Sequence, residues 1–173
     1  TAAVTLGVGT TAYPVTVAPG PGTATLEWLT APSLPFGVYL HSMLYANGFL
    51  YNLGGVDEAG AYRTDVSLSP IGPDGVPGDW VPTTRLKTPS VVMGAASTLG
   101  RLYIMGGVPE GTTVRYAQVL STGNLSGWED ALPLPASLRG LEGVAVDAAG
   151  SYLYAIGGQD LDPGNAQHRE VYV

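Results

Sequence analysis

A chain of 173 residues, 45% hydrophobic and 12% charged, is long enough to bury a core and too apolar to stay disordered. Its net charge of −7, with Lys87 as the single lysine, argues against nucleic acid and anionic membrane as partners. The lack of cysteine excludes disulfides, thiolate catalysis and Cys-ligated metals, and no apolar run reaches the ~20 residues of a membrane-spanning helix.

The 25 glycines and 14 prolines punctuate the chain heavily, which suits many short strands joined by turns. The sequence opens on Thr1 without the charged start and apolar centre of a signal peptide, and reads as a processed or partial chain.

Residues 1–12 alternate loosely between small and β-branched side chains and predict an N-terminal arm or extra strand. Residues 13–40 read as half of a four-stranded unit. Pro14 to Val17 is a strand, Ala18 to Gly22 a turn, and Thr25 to Leu29 a second strand, before Pro32 and Pro35 break the chain.

Residues 41–89 form the first full unit, led in by a strand running from Val38 to Ala46. Asn47-Gly48 is a strong hairpin signal, because the tight turn needs positive φ at both central residues. Leu50 to Leu53 reads as the continuous apolar run of a strand buried on both faces, and it stops on Gly54-Gly55. Asp57 to Arg63 is a polar loop, Asp65 to Leu68 an alternating strand, Pro70 to Gly78 a turn, and Trp80 opens a fourth strand.

Residues 90–140 repeat that order. Val91 to Thr98 leads through Leu99-Gly100 into Arg101 to Gly107, then a loop, a strand from Tyr116 to Leu120, the turn at Thr122 to Asn124, and Trp128. Residues 141–173 begin the order again, with Gly143 to Val146, a turn at Asp147 to Gly150, Leu153 to Ile156 ending on Gly157-Gly158, and a strand from Glu170 to Val173.

The spacing is regular. Gly54-Gly55, Gly106-Gly107 and Gly157-Gly158 recur after 52 and 51 residues, and Trp28, Trp80 and Trp128 after 52 and 48. Glycine at a strand end permits positive φ and close approach of a neighbouring backbone. The tryptophans are expected to pack between neighbouring sheets.

A unit of about 50 residues with four strands and a glycine pair resembles the kelch repeat of β-propellers. The glycine pairs, the Tyr and Trp positions and the strand order carry the resemblance over residues 13–173. The 18 residues from Tyr62 to Trp80, and the glycine turn before tryptophan in Gly123 to Trp128, look like the bacterial kelch-like type. The resemblance implies an all-β, kelch-like β-propeller with about three four-stranded blades in this chain. Propellers close with about 4 to 8 blades, so the expectation is closure by another copy or by missing sequence.

The resemblance also implies ligand sites at the channel mouth. The loops that would lie there carry Asp57, Glu58 and Arg63, then Glu110 and Arg115, then Asp160, Asp162 and His168, with Lys87 and Arg139 at blade junctions. Paired carboxylates could perform acid–base chemistry if their environments split their pKa values. Asp160, Asp162 and Asn165 have a faint calcium-loop pattern but lack its glycine and distal glutamate. Neither His41 nor His168 has a nucleophile motif, and no Gly-x-Ser-x-Gly or phosphate-loop lysine exists. Galactose oxidase, a copper enzyme on kelch repeats, uses a Cys-linked tyrosine, which a chain without cysteine cannot form. Arg63, Arg115 and Arg139 lack the context of a sialidase arginine triad.

These observations predict a non-enzymatic propeller without cofactor or metal. It is read as a protein- or glycan-binding or structural module, secreted or on a bacterial surface. Its first partner would be another copy of itself or adjoining blades. The alternative is a carbohydrate-active propeller enzyme, a hydrolase or epimerase, with its site at the channel mouth.

Overall fold

The structure, a computed structural model, describes residues 2–8, 11–17, 29–141, 145–146, 152–161 and 165–173. Trp28, Asp162, Gly143, the turns at 18–22 and 147–150 and most of the strand placed at 25–29 lie outside the described residues. Every regular element among the described residues is a β-strand, and no helix there is long and apolar enough to cross a membrane.

The first sheet is β1 (Ala2–Val8), β2 (Thr11–Val17) and β3 (Leu29–Thr30), antiparallel in that order. Next come β4 (Val38–Tyr39), β5 (Ser42–Ala46), β6 (Phe49–Leu53), β7 (Val56–Asp57), β8 (Val66–Pro70) and β9 (Val81–Pro82). Of these, β5-β6-β8-β9 form a four-stranded antiparallel meander, the second sheet, while β4 pairs with β7. The third sheet repeats it as β10 (Gly94–Thr98), β11 (Arg101–Met105), β12 (Val114–Gln118) and β13 (Glu129–Asp130). The last segment holds β14 (Leu138–Arg139), β15 (Ala145–Val146), β16 (Leu153–Ile156), β17 (Gln159–Asp160) and β18 (Val171–Tyr172). Strands β15-β16-β18 make the fourth sheet, and β14 pairs with β17 as β4 does with β7. In the first sheet, β1 takes the place beside β2 that β6 takes beside β8.

The register gives the equivalences. Leu53 faces Val66, Met105 faces Val114 and Ile156 faces Val171, each pair at the glycine end of its strand. Asn47-Gly48 and Leu99-Gly100 both turn with positive φ (49° and 86°, 49° and 69°), the twist that matches a tight hairpin.

The expected continuous strand from Val38 to Ala46 is instead two. Leu40 adopts φ 54°, and Val92 and Gly140 adopt 54° and 61° at the equivalent places. The turn carries the chain from one sheet to the next. The Val92 N–H donates to the Leu40 carbonyl (3.1 Å) and the Gly140 N–H to the Val92 carbonyl (2.8 Å), so three successive sheets are chained along their inner ends. Strand β5 lies against β10, and β10 against β15.

The core lies between sheets rather than within one. Tyr51, Leu53, Val66, Leu68 and Leu86 of the second sheet's repeat pack on Leu102, Ile104, Ala117, Val119, Leu125 and Trp128 of the third. A second cluster joins Ala96, Met105 and Val114 to Leu138, Leu141 and Ala155. Strand β6 is thus apolar because it is an inner strand sandwiched by neighbours. One position departs from the apolar expectation, since Asn52 is buried as fully as the residues around it.

Candidate functional site

The glycine pairs are the joints of this arrangement. The first glycine of each pair has φ near 60° (58°, 59° and 64°) and the second 91° to 103°. The second glycine's N–H donates to a carbonyl at the entrance to the following repeat, Gly55 to Ser90 (2.9 Å) and Gly107 to Leu138 (2.8 Å). That leaves no room for a side chain: a Cβ on Gly54 would press into the Ser90 carbonyl, and one on Gly106 would meet the Leu138 carbonyl at 2.5 Å.

Two tryptophans tie sheets to the ones before them, Trp80 between the first and second repeats and Trp128 between the second and third. The Trp80 indole N–H donates to the Pro32 carbonyl (3.1 Å) and that of Trp128 to the Thr84 carbonyl (3.3 Å), each on the preceding repeat. Both precede a two-residue outer strand, at Val81 and Glu129, rather than opening it.

Among the described residues, the ion pairs fall into three clusters. In the second repeat, Arg63 is held between Asp57 (3.1 Å) and Asp65 (2.7 Å), and Arg85 also reaches Asp65 (3.0 Å). The Arg63 guanidinium lies 4.9 Å from the centre of the Phe36 ring. Asp57 accepts from the N–H groups of Ala61 and Ala59, which, with Arg63, hold its carboxyl below the usual range. Glu58, expected beside them, is exposed.

In the third repeat, Arg115 lies on β12 rather than in the expected loop, because the segment from Gly107 to Val114 is four residues shorter than that from Gly55 to Val66. It is buried and fully engaged. It reaches Glu110 (2.8 Å), Asp130 (2.8 Å) and the Thr88 hydroxyl (2.7 Å). Lys87 joins Asp130 from the preceding repeat (2.7 Å), so this network crosses a seam, and Lys87 and Arg115 hold the Asp130 carboxyl low.

In the fourth repeat, His168 stands between Asp160 (2.6 Å) and Glu170 (3.1 Å). Arg139 donates to Asn165 (2.6 Å). His41, which has no nucleophile motif around it, is half-buried with its Nδ1 unpartnered, and burial lowers its pKa. No group of three His, Asp or Glu able to hold a metal occurs among the described residues.

The clusters are therefore braces, one within the second repeat, one across the seam between the second and third, and one in the fourth, where a single histidine faces two acids. Sequence reading found Asp57, Arg63, Glu110, Arg115, Asp160 and His168 but missed Asp65, Asp130, Glu170 and Thr88. An acid two positions after Arg63 and after His168 was the available signal.

Four-stranded meanders stacked face to face, stitched at their inner ends and joined through glycine pairs, define a kelch-type β-propeller. The relatives agree. The chain is 24% identical over 140 residues to Kelch-like protein 41a of Danio rerio, covering 77% of this chain and 21% of that one. The structure of YjhT, a kelch-fold propeller, matches with a TM-score of 0.67 at 12% identity, over 94% of this chain and 48% of that chain. The chain thus spans less than half the length of either relative. No protein-family model matches it.

Proposed function

We propose that this chain is a non-enzymatic propeller segment whose uncovered end sheet binds a further blade, supplied by a second copy or by adjoining sequence, and that it works as a structural or protein-binding module. One comparison supports this reading above the rest. Leu53 and Val66, and then Met105 and Val114, are buried where their sheet meets the next. At the equivalent places in the fourth sheet, Ile156 is 38% and Val171 58% exposed. The same positions that form a seam twice stand open the third time, and an apolar face of that kind favours a partner of matching shape.

The commitment of the loop charges to one another also favours a scaffold over acid–base chemistry, which needs a group free to exchange a proton with substrate. A glycan as additional ligand and a secreted or cell-surface setting belong to the same reading, resting on the low charge and the richness in Thr, Gly and Pro.

Sizing in solution tests it. The expected result is an assembly larger than the 17.8 kDa chain that falls apart in Val171→Asp, which places a charge on the open face. A compact, stable monomer of 17.8 kDa would end this reading.

A further inference from the structure

The loop that follows the glycine pair is built the same way in the second and fourth repeats. The Asp57 N–H donates to Ala61 (3.0 Å) and the Asp160 N–H to Ala166 (2.9 Å). The Arg63 N–H donates to Gly55 (2.9 Å) and the His168 N–H to Gly158 (2.9 Å). The Val56–Tyr62 bridge recurs as Gln159–Gln167. Each loop has an acid two residues beyond the second glycine, Asp57 or Asp160, and another just before the third strand, Asp65 or Glu170. Between the two acids stands the bracing cation, which is Arg63 in one loop and His168 in the other.

The exchange matters because the two cations differ in one property. A guanidinium is charged at every physiological pH and has donors for both acids. An imidazole has two N–H groups only while protonated. The His168 Nε2 lies 2.6 Å from Asp160 and its Nδ1 3.1 Å from Glu170, so both contacts are hydrogen bonds only in the imidazolium form. Once neutral, one ring nitrogen turns a lone pair toward a carboxylate.

We propose that His168 makes the loop of the fourth repeat a pH-released clip, closed while the imidazole is protonated and loosened when it loses its proton, where the Arg63 loop stays closed throughout. The groups that face it are Asp160 on β17 and Glu170 ahead of β18, with Arg169 adjacent in sequence. Arg139 on β14, whose neighbour strand is β17, is engaged by Asn165. The two carboxylates outweigh the cations around the ring, and the hydrogen bond to Asp160, followed by that to Glu170, raises the His168 pKa above 6.5. The sign follows. The clip contributes fully below the unfolded value and is lost as pH rises through the raised folded value.

Amide hydrogen exchange of the whole chain, expressed as protection factors at about pH 5 and about pH 8, reads this directly. The expected result is a several-fold fall in protection at the Asp160 and His168 amides on going to the higher pH. The Asp57 and Arg63 amides, in the equivalent bonds, are expected to keep theirs. His168→Arg is expected to abolish the difference. Equal protection at both pH values, a fall shared by the Asp57 and Arg63 amides, or an unchanged fall in His168→Arg would each overturn the proposal.

Discussion

The phenol of Tyr51 donates a 2.6 Å hydrogen bond to the carbonyl of Gly123, 72 residues further along the chain. Tyr51 is fully buried on β6, and Gly123 belongs to the turn between the outer strands of the next sheet. Burial pushes the phenol's pKa up to about 12. A Cβ on Gly123 would strike the Phe49 ring, so the turn is pressed onto the preceding sheet by two aromatic neighbours. Tyr51→Phe keeps the ring and strands the carbonyl. The expected loss is about 1–2 kcal/mol, measured as a lower denaturation midpoint with an unchanged slope.

The glycine pairs give a paired prediction. Gly54→Ala places a methyl group against the Ser90 carbonyl at φ 58°. It is expected to cost about 1–3 kcal/mol from backbone conformation, with the clash adding to it. Gly48→Ala, also at positive φ but with open space around its Cβ, is expected to cost about 1 kcal/mol. Thermal unfolding of the two variants side by side checks the difference, and equal losses would refute the role given to the seam.

Arg115→Met removes the cation common to Glu110, Asp130 and Thr88 while keeping most of the buried volume. Its acid partners are well exposed, so solvent screens what remains, and the expected loss is about 1–2 kcal/mol. The same change in Lys87, which is far more exposed, is expected to cost less than 1 kcal/mol, as about half a kcal/mol is usual for a surface pair.

Acid should act through Asp57 and Asp130. Both carboxyls are held below their usual 3.8, Asp57 first by the Ala61 N–H and Asp130 first by Lys87. A lowered folded value contributes stability that is present above the unfolded pKa and lost as pH falls through the folded one. Denaturation midpoints are therefore expected to drop below pH 3.8, less steeply in Lys87→Met than in the parent chain. His168 has the opposite sign and acts at the neutral to alkaline end.

Much of the architecture was legible in the residues. Asn47-Gly48 announced its turn because few residue pairs tolerate positive φ twice, and the glycine pairs announced theirs by interval. Leu99-Gly100 adopts the same turn, but its leucine carries no such signal. Nor did Leu40 and Val92, whose left-handed backbone splits one expected strand in two; the bonds that reward it join residues 52 and 48 apart in the chain. The site was legible as a set of charges but not as pairs. A cation's partner depends on which residues a loop folds back together, and loop lengths differ between repeats. The four-residue shortening before Val114 moved Arg115 from loop to strand, although its distance of 52 from Arg63 invited the opposite reading.

Scalar couplings transmitted through hydrogen bonds test the central claim, that equivalent strands are successive blades stitched at their inner ends. The account predicts couplings from the Val92 amide nitrogen to the Leu40 carbonyl carbon, from Gly140 to Val92, from Gly55 to Ser90 and from Gly107 to Leu138. Couplings that instead join β6 directly to β11 in one continuous ladder would contradict it.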